Sequence, residues 1–251
     1  MIRKLAIILL IIIGIHSPGY SQTNTKTTTY VEQVWLAYFN QTRFSNNWGI
    51  WVDIQLRTKD DFVEELSTFL ARFGGTYYLN DNTKLTLGYA FINHFPADNH
   101  QNISQPEHRP WQQIQWHNKY SKLRTMQYFR LEERFRRKIL NDDELADGYS
   151  FNWRLRYNFF LQVPFNKDGP VPKSLSFVLN DELHINFGEQ IVYNYFDQNR
   201  FFVGLSYQVN QTDNIQLGYN NVFSQNSSGN QYRMMNGVRV VYLHNLDLRS
   251  R

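Results

Sequence analysis

Apolar and polar positions alternate along most of this chain. In SFNWRLRYNFFLQV, Ser150 to Val163, every second residue is large and apolar: Phe151, Trp153, Leu155, Tyr157, Phe159, Leu161 and Val163. Between them stand Asn152, Arg154, Arg156, Asn158, Phe160 and Gln162. Alternation of this kind predicts a strand with one apolar face. Trp48, Ile50, Val52, Ile54 and Leu56 repeat it against Gly49, Trp51, Asp53, Gln55 and Arg57. So do Phe69 to Leu79, Leu85 to Phe91, Leu123 to Phe135, Leu175 to Ile185, Phe201 to Val209, Ile215 to Tyr219 and Val238 to Tyr242. With weaker runs at Val31–Gln41 and Trp111–Asn118, eleven such runs are counted.

The second face of these strands carries Arg, Asn, Gln, Tyr and Gly, where a soluble sheet would carry Lys, Glu and Thr. Several runs also exceed the usual length of a soluble strand. The connections alternate. Asn80–Thr83, Asn118–Lys122 and Asn210–Asn214 are short and polar, whereas His94–Arg109, Arg137–Gly148, Gly188–Asn199 and Ser224–Gln231 are long. Short turns on one rim and long loops on the other are the plan of an outer-membrane barrel, with the long loops outside the cell. A lipid-facing strand is apolar outside, and every backbone amide must pair, so the sheet closes. The inner face can hold water, which makes room for arginines.

The expectation is an all-β fold, an antiparallel transmembrane β-barrel of ten to twelve strands. Barrels of this class have an even strand number. Ten results if Val31–Gln41 is not a full strand; twelve, the favoured number, if Thr25–Tyr30 forms a first one. A soluble β-sandwich or lipocalin-like barrel is the alternative, since it too would alternate.

The N-terminus sets the compartment. A basic Met1-Ile2-Arg3-Lys4 precedes LAIILLIIIGI and the breaker SPGYSQ, with Gly19 and Ser21 in the small-residue positions. The apolar run is short for a bilayer span. It reads as a signal peptide over residues 1–21, cut near Ser21-Gln22, which leaves 22–251 as one domain. Without Arg3 and Lys4 the chain carries 24 basic and 22 acidic residues. That near-balance, with no Gly-rich phosphate loop and no basic helix, argues against nucleic acid. There are no cysteines, so disulfides, thiolate catalysis and thiolate metal sites are excluded. No cofactor is implied. The expected partners are outer-membrane lipid and the outer-membrane assembly machinery. The second rests on GVRVVY, Gly237 to Tyr242, which resembles the insertion signal of outer-membrane proteins but is followed by nine further residues. Oligomeric state stays open.

Five segments together resemble a bacterial family known as domain of unknown function 2490: EHRPWQQ (Glu107–Gln113), FRLEERF (Phe129–Phe135), RLRY (Arg154–Tyr157), NDELHINF (Asn180–Phe187) and DQNRFFVGLSYQV (Asp197–Val209). The likeness runs from about Trp35 to about Tyr242. It implies an outer-membrane β-barrel and supplies no activity.

Candidate chemistry lies on the polar face. Strand parity puts Glu132 near Arg154 or Asn152 and Glu182 near Arg154 and Arg156, a lumen ladder Glu132–Arg154–Glu182 flanked by Arg130, Arg134 and Arg156, and it puts Asp53 beside Arg72 on neighbouring strands. Arginine suits such a ladder because its planar fork pairs with carboxylates and stays charged. The ladder either fills and rigidifies the barrel or lines a conduit or anion site. Glu107, Arg109, Pro110 and Trp111 read as a rim motif. Pro110 is expected at the first position of a strand, with Trp111 as an interfacial anchor or part of a loop constricting the mouth. His94, Asp98, His100 and His108 crowd one loop in no standard metal spacing. A rim enzyme acting on lipid or glycan would need a Ser–His pair near the lipid, and His117 and His184 are instead placed in the lumen; no catalytic residue is named. Two function classes remain, a pore or structural barrel and a rim enzyme.

Overall fold

The computed structural model describes residues 25–59, 64–97, 100–120, 123–167 and 169–249. The predicted signal peptide lies outside them. The described chain consists of eleven strands: β1 (Thr27–Arg43), β2 (Trp48–Thr58), β3 (Leu66–Tyr78), β4 (Thr83–His94), β5 (Gln105–Lys119), β6 (Arg124–Ile139), β7 (Leu145–Pro164), β8 (Ser174–Phe187), β9 (Phe196–Gln208), β10 (Asp213–Gln225) and β11 (Gln231–Asp247).

Neighbours in sequence pair antiparallel, and β1 closes the barrel against β11. That seam is parallel, from Thr27 opposite Gln231 to Arg43 opposite Asp247. The barrel is therefore mixed, where an antiparallel one was expected throughout. The favoured count of twelve also gives way to eleven. Thr27–Tyr30 does not form a separate strand; it continues without a turn into Val31 and lengthens β1.

Parity decides the two faces. The Arg154 and Arg156 side chains are buried while Leu155 between them is exposed, so the aromatic face of β7 points outward and its arginines inward. Ile50, Ile54, Phe73, Leu87, Phe129, Leu205, Leu217 and Val238 are likewise exposed on the outer surface. Aromatic pairs sit near both ends of the strands, Trp48 edge-on to Tyr77 at 5.0 Å and Trp153 stacked on Phe187 at 6.3 Å. Carboxylates also stand on this face. Two accept a hydrogen bond from an adjacent amide, Asp181 from Asn199 at 2.9 Å and Glu133 from Gln112 at 2.9 Å, while Glu32 is exposed on β1.

Asparagine shapes the tight turns. The Asn80 Oδ1 accepts from the backbone N–H of Asn82 and Thr83, both at 2.8 Å, and Asn210 does the same for Thr212 and Asp213. This side-chain mimic of a backbone turn is why short Asn-led connections reverse the chain. The short-turn rim carries 44–47, 79–82, 120–123, 209–212 and the longer 165–173. The opposite, long-loop rim carries 59–65, 95–104, 140–144, 188–195 and 226–230. The predicted loop 137–148 shrinks because β6 and β7 stay paired as far as Ile139 and Leu145.

Candidate functional site in the barrel lumen

The densest chemistry lies on β5 to β9. Glu132 stands directly opposite Arg154 across the β6–β7 ladder, and Arg130 opposite Arg156. Glu132 has no exposed surface. Its Oε2 accepts from Arg154 Nε at 2.8 Å and Nη2 at 2.6 Å. Arg156 Nη2 lies 2.6 Å from its Oε1, and Arg109 Nη1 lies 3.5 Å from its Oε2. Three guanidiniums thus surround one carboxylate, which a desolvated anion requires.

EHRPWQQ is not a rim motif. β5 begins at Gln105, so Pro110 falls inside the strand, opposite Tyr89 of β4. On the β6 side the pairing passes from His108 to Trp111, leaving a place where a missing N–H is tolerated. The motif therefore runs down the inner wall near the long-loop rim. Glu107, with no exposed surface, accepts from Arg109 Nη2 and Arg134 Nε, both at 2.7 Å, from Arg136 Nε at 3.4 Å, and meets His94 Nε2 at 3.0 Å. Arg109 joins this cluster to Glu132. Trp111 is 1% exposed and lies inside the lumen, edge-on to Trp51 at 5.0 Å. Gly74 and Gly88 make room for it. A Cβ on Gly88 would meet Trp111 Cζ2 at 2.5 Å.

Glu182 is not part of the expected ladder with Arg154. The β7–β8 register puts Asn158 opposite Glu182 and Asn186 opposite Arg154, so Glu182 lies two inward positions from Arg154 and one from Arg156, because the 165–173 connection sets the offset. Glu182 instead accepts from the Tyr128 hydroxyl and from Arg156 Nη1 at 3.4 Å, with Arg200 Nη1 at 3.6 Å. His184 Nε2 approaches it to 2.9 Å in an orientation that makes no hydrogen bond. Arg154 takes its second carboxylate from Asp197, at 2.8 Å. Asp197 was not singled out in the sequence; its signal was its place at the end of a long loop, where β9 turns inward beside β8. Elsewhere in the lumen Arg72 Nη1 donates to Asp53 Oδ2 at 2.9 Å, directly across β2 and β3.

The short-turn half of the lumen holds a cavity of about 640 Å³, with Gln211, Arg124 and Asp247 at its mouth. Trp35, Trp51, Tyr128 and Phe202 contribute aromatic surface. Six arginines line it, Arg72, Arg124, Arg130, Arg156, Arg200 and Arg239, against three carboxylates, Asp53, Glu182 and Asp247. Glu107, Arg109, Glu132 and Arg134 are not among its walls; they fill the lumen toward the other rim. At the short-turn rim outside the wall, the Arg43 guanidinium bonded to Asp81 holds that carboxyl below the usual carboxylate range.

The loop histidines separate. His94 meets Glu107, His100 Nδ1 contacts the Ile103 carbonyl at 2.7 Å, and His108 faces outward against the Tyr89 hydroxyl. Asp98 lies outside the described residues. Among the described residues no hydrogen bond pairs a serine with a histidine.

Residues 32–233 match the profile of a family described as protein of unknown function, DUF2490. No curated protein matches the chain. Among solved structures it is similar to the NanC porin, at 15% identity over 84% of this chain and 95% of that one, with a TM-score of 0.44.

Proposed function

The chain belongs to the DUF2490 family of proteins of unknown function, and on that premise we propose that it is an outer-membrane β-barrel whose lumen is a narrow arginine- and carboxylate-lined passage held shut on one side. The observation that carries this reading is that two fully buried carboxylates, Glu107 and Glu132, each gather several arginines. With their arginines they pack the long-loop half of the lumen, while the cavity occupies the other half. A membrane setting is supported by the outer face, where large apolar residues alternate with inward polar ones around the wall. A lipid-facing surface of this kind needs a closed sheet behind it, and the barrel supplies one. The long loops face outside the cell, so the cavity opens toward the periplasm. Assembly uses Gly237–Tyr242, which lies within β11 with Val238, Val240 and Tyr242 outward.

Fractionation, gel mobility and solute permeation test the reading. The protein fractionates with the outer membrane and migrates faster unheated than boiled. Vesicles carrying it swell in small neutral sugars no faster than empty ones. Recovery in soluble periplasmic extract, or rapid swelling, contradicts the proposal. Cysteines at Asp143 and Ser227 react with an impermeant label on whole cells, whereas cysteines at Asp81 and Gln211 do not. The reverse pattern would turn the barrel over.

A further inference from the structure

The cavity in the short-turn half has an imbalance that the ion network does not resolve. Its walls carry three more positive than negative side chains. Three of its arginines have no carboxylate partner among the described residues: Arg124 at the mouth, and Arg130 and Arg239 deeper in the cavity. Arg130 is 1% exposed; its Nε donates to Gln113 Oε1 at 2.8 Å, and its Nη1 makes no hydrogen bond. Its guanidinium lies 4.8 Å from the Trp51 ring, 4.5 Å from Trp111 and 5.1 Å from Tyr128. Arg239 makes neither an ion pair nor a side-chain hydrogen bond among the described residues, and sits 5.3 Å above the Phe202 ring.

Donors dominate the unsatisfied buried groups that line the cavity. Besides Arg130 Nη1, the buried Trp51 Nε1, Arg72 Nε, Arg156 Nε and Asn220 Nδ2 are donors without acceptors, and the Thr125 hydroxyl is the one such group that can also accept. Stacking on aromatic rings offsets part of the cost of a buried guanidinium, but a ring supplies no counter-charge. A cavity with surplus cations and surplus donors complements a ligand with surplus negative charge and acceptors. Its volume falls in the range of small-molecule sites. The aromatic walls favour a ligand with a flat apolar body, and the amides of Asn158, Asn180 and Asn220 offer further polar contacts.

The geometry points to this cavity as a binding site for a small organic anion, a carboxylate or phosphate on a flat apolar body, held by Arg130 and Arg239 against the aromatic walls. Such a ligand enters from the short-turn rim, because the ion network fills the lumen beyond. The site depends on the lumen described above and not on the membrane in which the barrel resides, so it is testable on the folded protein in detergent.

The probes are benzoate and phenyl phosphate, with benzamidine as a cation of similar shape and benzyl alcohol as the neutral analogue. Binding is read from tryptophan fluorescence, since Trp35 and Trp51 line the cavity. The folded full chain binds at least one of the two anions saturably, more weakly as salt rises, and binds neither benzamidine nor benzyl alcohol at comparable concentration. Which anion binds more tightly separates phosphate from carboxylate recognition. Arg239→Gln and Arg130→Gln each weaken binding at least tenfold, whereas Arg233→Gln, outside the cavity, leaves it unchanged. Heat-modifiable mobility identifies which variants are folded; Arg239, the less buried of the two, keeps the test open if Arg130→Gln fails to fold. Equal binding of benzamidine, no saturable anion binding, or folded variants that bind like the parent overturn the proposal. A barrel that binds these anions yet fractionates as a soluble protein would sink the membrane reading and leave the site standing.

Discussion

Arg130 and Arg156 face each other directly across the β6–β7 ladder. Like charges placed opposite on a sheet repel, and the two side chains resolve this by leaving in different directions. Arg156 reaches Glu132 at 2.6 Å and Glu182 at 3.4 Å. Arg130 instead turns into the rings of Trp51, Trp111 and Tyr128. Arg156 thus ties the cavity wall to the Glu132 network, whereas Arg130 faces the cavity without a carboxylate partner among the described residues.

Glu132→Gln removes the carboxylate shared by Arg154, Arg156 and Arg109. Breaking a buried pair on one side costs about 3–5 kcal/mol, and three cations lose their counter-charge here. Urea unfolding of the refolded protein in lipid vesicles should show a loss of that order. Glu182→Gln should cost less, because Glu182 borders the cavity and water can take over part of its role. It should also tighten anion binding, since the cavity becomes more positive. Equal destabilisation by the two substitutions would mean that Glu132 is not the centre of the network.

The Trp111 slot gives a second test. A methyl group on Gly88 would lie within 2.6 Å of two Trp111 ring carbons and 2.3 Å from the Phe73 carbonyl oxygen. Overpacking of this kind costs about 1–3 kcal/mol, so Gly88→Ala should lower the melting temperature. Gly75, one residue along β3 from Gly74, points outward and has nothing within 4 Å of an added Cβ. Gly75→Ala should be neutral or stabilising, by up to roughly 1 kcal/mol relative to glycine in a strand. Similar melting temperatures for both variants would show that Trp111 does not fill the space between Gly74 and Gly88.

These residues show how much was legible beforehand. That Asp53 lies beside Arg72, and Glu132 beside Arg154 or Asn152, follows from period-two parity and approximate register, which the sequence displays; the β6–β7 pairing selects Arg154. Glu182 was expected beside Arg154 as well as Arg156 and reaches only Arg156 of the two, because a nine-residue connection, 165–173, leaves register undetermined by length alone. Trp111 was misread because Pro110 looks like a strand opener; only the partner strands reveal that β5 begins earlier. Gly74 and Gly88, both inward on adjacent strands, were the available sign that a large side chain had to fit there. Eleven runs were visible in the sequence, yet twelve strands were favoured, because the even-number rule assumes antiparallel closure and a parallel seam has no local sequence signature. The pairing of Arg154 with Asp197 joins residues on β7 and β9 across the intervening β8, a contact that parity does not specify.

Membrane exposure of the outer face is tested within the strand that first displayed the pattern. Leu155 points outward on β7, and Leu155→Arg should impair insertion by about 2–4 kcal/mol if it sits near the bilayer midplane. Gln216→Arg places the same charge on an inward position bordering the cavity, and should insert normally. The readout is the heat-modifiable fraction formed on mixing unfolded protein with lipid vesicles. Reversed outcomes would mean that inside and outside have been exchanged.

Closure of the lumen by the Glu107 and Glu132 networks is the central claim, and planar-bilayer conductance tests it most directly. The parent protein should insert without producing a steady open channel. The Glu107→Gln, Glu132→Gln double variant removes both anchoring carboxylates and frees their arginines to repel one another. It should show channel events, with a reversal potential in a salt gradient that favours anions. A steady ohmic conductance from the parent protein, or a folded double variant that stays silent, would contradict the account.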